Sequence, residues 1–297
     1  IKTFAKSLAA NGQSFKIRIN AIVNGGSQFN ASSAFPLTNA YPEDAFEFEY
    51  IVPNNTTSIQ VQIMLGNFTG IYFLDDFETT IEDDNTAWSG ATNTDWATST
   101  NWNNGVPTNS LNASIPSGLS NYPAISVATG AAVKNLDVDA GAALTIASGG
   151  SLIVSGTSSG NVTYNRNLAT TKWYLVSSPV AGQDIDAFVS AEGLAIDTEN
   201  NLGLGDYDNS TPDWTYYLNG ASGTGNFTSG DGRAIKLVST GDISFTGTIN
   251  TSNVTLAMTS NSNGFNLVGN PYTSYVAGNE NADGTNNILT INSANLT

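Results

Sequence analysis

The 297-residue chain contains neither cysteine nor histidine. Without cysteine it has no disulfide bonds and no thiolate that acts as a nucleophile or a metal ligand. Without histidine it lacks the usual general base and the commonest zinc ligand. These absences exclude Ser-His-Asp and Cys-His catalytic sites, and we expect no catalysis from this chain.

Charge is also scarce, and basic residues are scarcer than acidic ones. Charged side chains make up 11% of the chain, with 9 basic against 25 acidic residues and a formal net charge of −16. Soluble domains average about 25% charged residues. A protein that neutralises phosphates needs clustered Lys and Arg, so nucleic acid is not an expected partner. An acidic surface favours solubility and cations, calcium in particular.

Long apolar runs and helical patterns are rare as well. No run approaches the about 20 apolar residues of a membrane helix, so we expect no membrane span. Only residues 181–194 (AGQDIDAFVSAEGL) show an amphipathic spacing, which predicts one or two helical turns. Elsewhere, short β-branched and aromatic runs alternate with Asn, Gly, Ser and Thr, which predicts an all-β protein.

The composition divides this all-β chain into three predicted domains. Residues 1–81 alternate apolar and polar side chains, as in SFKIRIN at 14–20, which predicts strands with one buried face. Residues 82–165 begin with a polar, Trp-rich stretch and continue with short, evenly spaced strands. These predict either the rungs of a short β-solenoid or a small meander. Residues 166–297 carry longer strands and predict a second β-sandwich, truncated at its C-terminus.

Two segments of the third domain repeat one pattern. WYLVSSPV at 173–180 and FNLVGNPY at 265–272 share an aromatic residue, a Leu-Val pair and a proline at identical spacing. Proline cannot donate a hydrogen bond to a sheet, so it stops a strand. The pattern predicts two equivalent strands of one sandwich.

Three short motifs of the first domain follow one another in a recognisable order. They are TFAK at 3–6, FPLT at 35–38 with Tyr41, Phe46 and Phe48 after it, and YFLDDF at 72–77. In this order they resemble the C-terminal half of the family-4/9 carbohydrate-binding modules, which are jelly rolls. The resemblance implies a partial jelly-roll sandwich whose front strands are missing. We expect that processing removed them or that a neighbouring molecule supplies them, because unpaired sheet edges aggregate.

Further motifs mark the second and third domains. They are WSG at 88–90, TDW at 94–96, NWNNGVP at 101–107, GNVTYNR at 160–166 and GFNLVGNPYTSY at 264–275. They resemble the ancillary regions of large flavobacterial surface proteins exported by the type 9 secretion system. The resemblance implies an extracellular or cell-surface location. Such regions stand between a catalytic or adhesive module and a C-terminal sorting domain, so we expect a truncated back end.

Aromatic side chains are the candidate carbohydrate contacts, because the C–H face of a sugar packs on a ring while polar neighbours bind its hydroxyls. The candidates in the first domain are Tyr41, Tyr50 and Tyr72. The polar stretch of the second domain offers Trp88, Trp96 and Trp102. For all six rings the alternative is burial in a core, where the Trp cluster would cap the first rungs.

Aspartates are the candidate calcium ligands, because calcium takes six to eight oxygen atoms. Asp75 stands where the resemblance to the jelly-roll modules implies a structural calcium ligand. Asp206, Asp208 and Asp213 have a spacing like that of a calcium loop, although the glycine and the closing glutamate of an EF-hand are missing. The alternatives are a strand-end aspartate and an ordinary polar loop.

Together these features predict a non-catalytic extracellular binding or adhesion protein, with polysaccharide as the expected ligand and calcium as a possible structural ion. One alternative is a structural subunit of an extracellular fibre, which self-associates into a polymer by strand complementation. The other alternative is the ancillary tail of a secreted glycanase.

Overall fold

The computed structural model divides the chain into two compact units, Ile1–Glu82 and Asp83–Thr297. Each unit has its own hydrophobic core. The structure describes residues 2–7, 14–23, 26–30, 34–37, 40, 42, 44–48, 56–64, 72–78, 84–126, 130–260 and 264–294. Among the regular elements of these residues, strands far outnumber helices, which confirms the prediction of an all-β protein.

The described residues of the first unit form two antiparallel sheets. Its strands are β1 (Lys2–Ser7), β2 (Ser14–Val23), β3 (Gly26–Asn30), β4 (Ala34–Pro36), β5 (Phe46–Glu47), β6 (Thr56–Met64) and β7 (Tyr72–Glu78). One sheet has the order β5-β1-β7. In the other sheet β2 pairs with β3, β4 and β6. Both sheets contribute to one core, as in a sandwich, because Ala5 of β1 clusters with Phe15 and Ile17 of β2.

The alternation predicted for β2 is present. Phe15, Ile17 and Ile19 are buried, whereas Lys16 is exposed and Arg18 is half-buried. Each such apolar side chain contributes about 1.5–3 kcal/mol when it is fully buried. The period of two therefore fixes which face of β2 is turned to the core.

The second unit begins with a stack of short strands. In chain order they are β8 (Asn85–Ala87), β9 (Asn112–Ile115), β10 (Ala124–Ile125), β11 (Gly130–Val133), β12 (Leu136–Val138), β13 (Thr145–Ile146), β14 (Ser151–Val154), β15 (Ser158–Ser159) and β16 (Val162–Leu168). The pairs within β8-β9-β12-β15, within β10-β13-β16 and between β11 and β14 are all parallel. A meander would pair successive strands antiparallel, so the stack is the predicted solenoid.

An asparagine ladder fixes one corner of the solenoid. Asn112 donates from Nδ2 to Oδ1 of Asn85 over 3.0 Å, and Asn135 donates in the same way to Asn112 over 2.7 Å. The ladder ends where the backbone N–H of Thr157 donates to Oδ1 of Asn135, also over 2.7 Å. Each side chain thus satisfies the polar group of the next rung.

The three tryptophans of the polar stretch lie in the core of the second unit. Trp88, Trp96 and Trp102 are 1%, 1% and 5% exposed, and their rings meet edge to face. The indole N–H of Trp88 donates to the carbonyl of Asn121 over 2.8 Å. These rings are therefore core residues of the first rungs, and no sugar can stack on them.

The remaining elements of the second unit are two helices and strands that pair antiparallel. They are β17 (Tyr174–Ser177), β18 (Val180–Ala181), α1 (Ile185–Ala191), β19 (Asn201–Asp208), β20 (Asp213–Leu218), β21 (Gly232–Ile235), β22 (Gly241–Ile249) and α2 (Ile288–Ile291). One sheet has the order β10-β13-β16-β22-β18, and another has the order β17-β21-β19-β20. Helix α1 lies within the predicted helical segment and is capped by Asp184, which accepts from the N–H of Ala187 over 2.8 Å. None of the helices in the described part of the chain is long and apolar enough to cross a membrane.

Among the described residues, the structure shows no boundary between compact units near residue 165, where the sequence predicts the second and third domains to meet. Strand β16 contains that position and pairs in parallel with β13 on one side and antiparallel with β22 on the other. One core cluster accordingly runs from the Trp rings to Ile249. Because β16 belongs to both patterns, residues 83–297 make one compact unit.

The repeated pattern is realised as one strand and one bridge. WYLVSSPV contains β17, whereas FNLVGNPY makes a single bridge between Val268 and Asp231. In the second copy, Asn266 donates from Nδ2 to the carbonyl of Thr259 over 2.9 Å, and Asn270 donates to that of Ser274 over 2.7 Å. Side-chain hydrogen bonds to the backbone compete with a strand ladder, so the predicted second strand does not extend.

Candidate functional site

The outer face of the β17-β21-β19-β20 sheet carries two exposed aromatic rings, those of Trp173 and Tyr216. The register places in one row across this sheet Leu175, Ala234, Gly205 and Tyr216. Trp173 stands two residues before Leu175 and so lies on the same face. One residue along, Ile235 and Leu204 point the other way and are fully buried.

Glycines in β19 make room for this surface. A Cβ added at Gly205 would lie 2.9 Å from Cδ1 of Tyr216, so the phenol ring packs directly on the backbone there. A Cβ added at Gly203 would lie 2.3 Å from the carbonyl oxygen of Lys236. Glycine is the residue that permits such close approach.

The two rings are in contact and remain open to solvent. Their centroids are 5.6 Å apart and their planes are inclined by 43°. Trp173 is 47% exposed and Tyr216 is 36% exposed. The indole N–H of Trp173 makes no hydrogen bond to any residue that the structure describes, so it is available as a donor.

A cleft of about 240 Å³ lies beside the rings. Its apolar wall includes the exposed side chain of Ile196, and its polar groups come from Asp197, Asn201 and Lys236. More exposed apolar side chains occur nearby on the sheet or in its connections, namely Leu175, Leu218 and Val238. The arrangement combines an aromatic platform with a few polar groups, which is typical of small-molecule sites.

The polar groups of the cleft are held by the backbone. Asn201 donates its backbone N–H to Oδ1 of Asp197 over 2.8 Å and its Nδ2 to Oδ2 over 3.0 Å. These bonds, the side-chain one foremost, lower the pKa of the exposed Asp197 carboxyl below its usual value. Lys236 pairs through its backbone with Gly203 and Ala195. Within the described residues, no carboxylate lies within salt-bridge distance of the Lys236 ammonium group.

The side chains of the carbohydrate contacts predicted in the first unit lie outside the described residues. Tyr41 and Tyr50 lie outside the described residues, and so does the side chain of Tyr72, the first residue of β7. A sugar site at these three tyrosines stays a prediction.

Asp75 lies on the exposed strand β7 opposite Phe4. Its backbone carbonyl accepts from Oγ1 of Thr3 over 3.1 Å, and its Oδ1 accepts from the N–H of Asp76 over 3.0 Å. Among the described residues there is no group of three or more acidic side chains placed to hold a metal ion. Calcium at Asp75 therefore stays a prediction that rests on the resemblance.

The other three predicted ligands lie on the β19-β20 hairpin and have protein partners. Asp206 pairs with the Arg233 guanidinium and accepts from the hydroxyl of Tyr217 over 3.0 Å. Asp208 and Asp213 face each other across the hairpin. Here the carboxylates serve the strands and the turn, and calcium binding by them stays a prediction.

The turn explains the electrostatics of Asp208. Ser210 donates its hydroxyl to Oδ1 over 2.7 Å and its backbone N–H to the same atom over 2.8 Å, and Thr211 donates to Oδ2 over 2.9 Å. These bonds, led by that of the Ser210 hydroxyl, lower the pKa of the exposed Asp208 carboxyl. Asp213 accepts from the N–H of Trp214 over 2.7 Å.

Sequence reasoning missed the Trp173–Tyr216 platform. The sequence patterns include Trp173 only as the first residue of a repeated segment, and none of the predicted sites includes Tyr216. A usable signal was present in NLGLGDYD at 201–208, where glycines alternate with apolar residues along one strand. Such alternation indicates that something packs closely on one face of the strand.

Comparison with known proteins covers a different part of the second unit. The model of a family described as a domain of unknown function (DUF8693) matches residues 87–159. This stretch is the solenoid with its Trp cluster, so the chain is similar to that family over the rungs and not over the cleft. No curated protein matches the chain, and no solved structure matches it.

Proposed function

We propose that this chain is a non-catalytic, extracellular glycan-binding protein and that the Trp173–Tyr216 platform is its sugar site. The observation that carries the proposal is the pair of solvent-open rings 5.6 Å apart beside a polar cleft. A pyranose ring has an apolar C–H face and a rim of hydroxyls. The face would pack on the indole and the phenol, while Asn201 and Lys236 would bind the rim.

The energetics of such a site are modest. Aromatic stacking contributes about 0.5–1.5 kcal/mol beyond the burial of apolar area, which itself adds about 25 cal/mol for each Å² removed from water. A shallow cleft orders few side chains, so little conformational entropy opposes binding. We expect weak binding of single sugars and tighter binding of polymers that present many copies of the same unit.

The composition supports an extracellular setting. A surface rich in Asn, Thr, Ser and Gly with 11% charged residues suits a long-lived protein outside the cell. The parallel rungs support a role of the second unit as a rigid β spacer. Export by a type 9 system, inferred from the resemblance, belongs to the same proposal.

The test is binding of the purified chain to a panel of soluble polysaccharides by affinity electrophoresis and calorimetry. We expect Trp173→Ala and Tyr216→Ala each to weaken binding about tenfold or more, because each removes one stacking surface. Tyr275→Ala is the matched control, since Tyr275 is 78% exposed and does not line the cleft. If Trp173→Ala and Tyr216→Ala bind as tightly as the Tyr275→Ala control, the proposed site is overturned.

One observation favours the fibre subunit as a second candidate. Among the strands that the structure describes, β7 is the last of its sheet, and both Leu74 and Phe77 on it are more than two-fifths exposed. A sheet edge with apolar side chains is a template for a further strand. Electron microscopy and light scattering test this candidate: regular filaments support it, and a monomer at high concentration contradicts it.

A further inference from the structure

We infer that the platform selects an uncharged glycan whose successive sugar rings are rotated relative to one another, rather than a flat ribbon or a polyanion. The inference rests on the proposed function and names the class of ligand for the same site. Two features carry it: the tilt between the Trp173 and Tyr216 rings, and the charges around them.

The tilt determines which chain can contact both rings. The planes of Trp173 and Tyr216 are inclined by 43° at a centroid distance of 5.6 Å. In a flat glycan ribbon, successive sugar faces are parallel, so when one unit packs flat on one ring, the face of the next unit is inclined to the other ring by the angle between the two rings. In a chain that turns at each linkage, the face of the next sugar is inclined to the face of the first. Two successive sugars can then pack on the two aromatic rings at the same time.

The sheet sets the position of one of the two rings, that of Tyr216. The Tyr216 ring rests on the backbone of Gly205, where even a methyl group would lie within 3.0 Å of two ring carbons. Gly205 in turn is fixed between its partners Ala234 and Tyr216 in the sheet. The backbone beneath the Tyr216 ring limits how far this ring can turn toward the strand, and it thereby narrows the range of inclinations that the ring presents to a ligand.

The charges around the rings favour an uncharged chain. Hydrogen bonds from Asn201 fix the Asp197 carboxylate in the cleft, and Glu199 follows two residues later in the same exposed turn. Lys236 is the only basic side chain that lines the described cleft. The chain as a whole carries a net charge of −16, which repels polyuronates and sulfated glycans at a distance. Lys236 is then a donor to sugar hydroxyls and not half of an ion pair with the ligand.

The test uses the full chain and four oligosaccharides of equal length: laminarihexaose and maltohexaose, which turn, cellohexaose, which is flat, and hexagalacturonate, which is anionic. Calorimetry at physiological ionic strength measures each affinity. We expect at least one turning hexasaccharide to bind about tenfold more tightly than both the flat and the anionic one. Lys236→Met is expected to weaken that binding severalfold without changing its salt dependence, because no ion pair is lost.

A second variant tests the tilt while both rings are kept. Gly205→Ala forces the Tyr216 ring off its position, so the preference for the turning ligand over cellohexaose should shrink severalfold. Circular dichroism and thermal unfolding show whether the variant folds. If it does not, Tyr216→Leu replaces it, since that change keeps an apolar side chain and removes the inclined ring; it should also abolish the preference.

The outcomes separate the two levels of the proposal. Binding of no hexasaccharide, or binding that is unaffected by Trp173→Ala, defeats the proposed function and the inference together. Cellohexaose or hexagalacturonate bound as tightly as the turning glycans, with dependence on Trp173, defeats the inference and leaves the proposed function standing. A preference that survives both Gly205→Ala and Tyr216→Leu also defeats the inference, because the tilt would then be irrelevant.

Discussion

Glu192 is a residue of the second unit whose protonation is coupled to folding. It is half-buried at the end of α1, and its Oε1 accepts from the N–H of Ser244 over 2.7 Å. Burial raises the pKa of this carboxyl, the Ser244 bond opposes the rise, and the charge of Asp242 adds to it. The folded state therefore holds the proton to higher pH than the unfolded state does.

The sign of the effect follows from this difference. The contribution of Glu192 to stability is fully present below its ordinary pKa of 4.5 and is lost as the pH rises through the raised folded value. Glu192→Gln keeps an oxygen that accepts from Ser244 and removes the buried charge. We expect this variant to be more stable than the parent at pH 7 and to lose that advantage between pH 7 and pH 4.5, measured by urea unfolding.

Glu199→Gln is the control for removing one negative charge, because Glu199 is exposed in a turn. A Glu192→Gln variant that is less stable than the parent at pH 7 would contradict the assignment of burial as the dominant cause.

Single residues also show where sequence reasoning ends. Asn and Trp-rich composition in residues 82–107 left open whether the Trp rings bind sugar or fill a core, and only their burial at 5% or less decides it. Trp173 and Tyr216 are separated in the chain by β17, β18, α1 and β19. What makes them neighbours is the hydrogen-bonded register of the sheet, and no local pattern encodes that register.

At the scale of elements, the asparagine ladder is the most testable device. Asn112 donates to Asn85 and accepts from Asn135. Asn112→Ala removes both bonds and takes away the acceptor of the half-buried Asn135 amide, whereas Asn85 is exposed and can bond to water. We expect a loss of about 1–2 kcal/mol in the free energy of unfolding, most of it from the half-buried amide.

Urea denaturation measures this loss from the unfolding transition of the second unit, and Asn281→Ala is the control. Asn281 lies in an exposed turn outside the solenoid, so its change should stay within about 0.5 kcal/mol of the parent. Equal effects at the two positions would mean that the ladder contributes nothing specific to the rungs.

The elements of the solenoid were predictable because their cause is local. Short strands at even spacing with small residues at the corners require a chain that turns often, and parallel stacking is one of the few ways to bury them. The boundary near residue 165 was not predictable, because the sequence of β16 marks a strand without saying which strands flank it. Its shared pairing with β13 and β22 is a property of tertiary structure.

At the scale of the whole molecule, we expect the two units to fold independently of each other. Each has its own core, and the cluster around Phe15 shares no residue with the cluster around the Trp rings. A unit with a complete core of its own should fold alone. The fragment 83–297 contains the solenoid, both larger sheets and the platform, so it should retain the cooperative unfolding transition of the full chain and its glycan affinity.

Calorimetric melting of the fragment beside the full chain tests this independence. The fragment should unfold in one transition whose midpoint matches a transition of the full chain, and Trp fluorescence should report it, because all five tryptophans lie at or after residue 88. Unfolding of the fragment at a much lower temperature would mean that residues 1–82 stabilise the second unit directly. Since the proposed glycan site consists of the platform alone, a fragment that folds and yet binds no sugar that the full chain binds would instead move the sugar site into the first unit, toward the tyrosines predicted there.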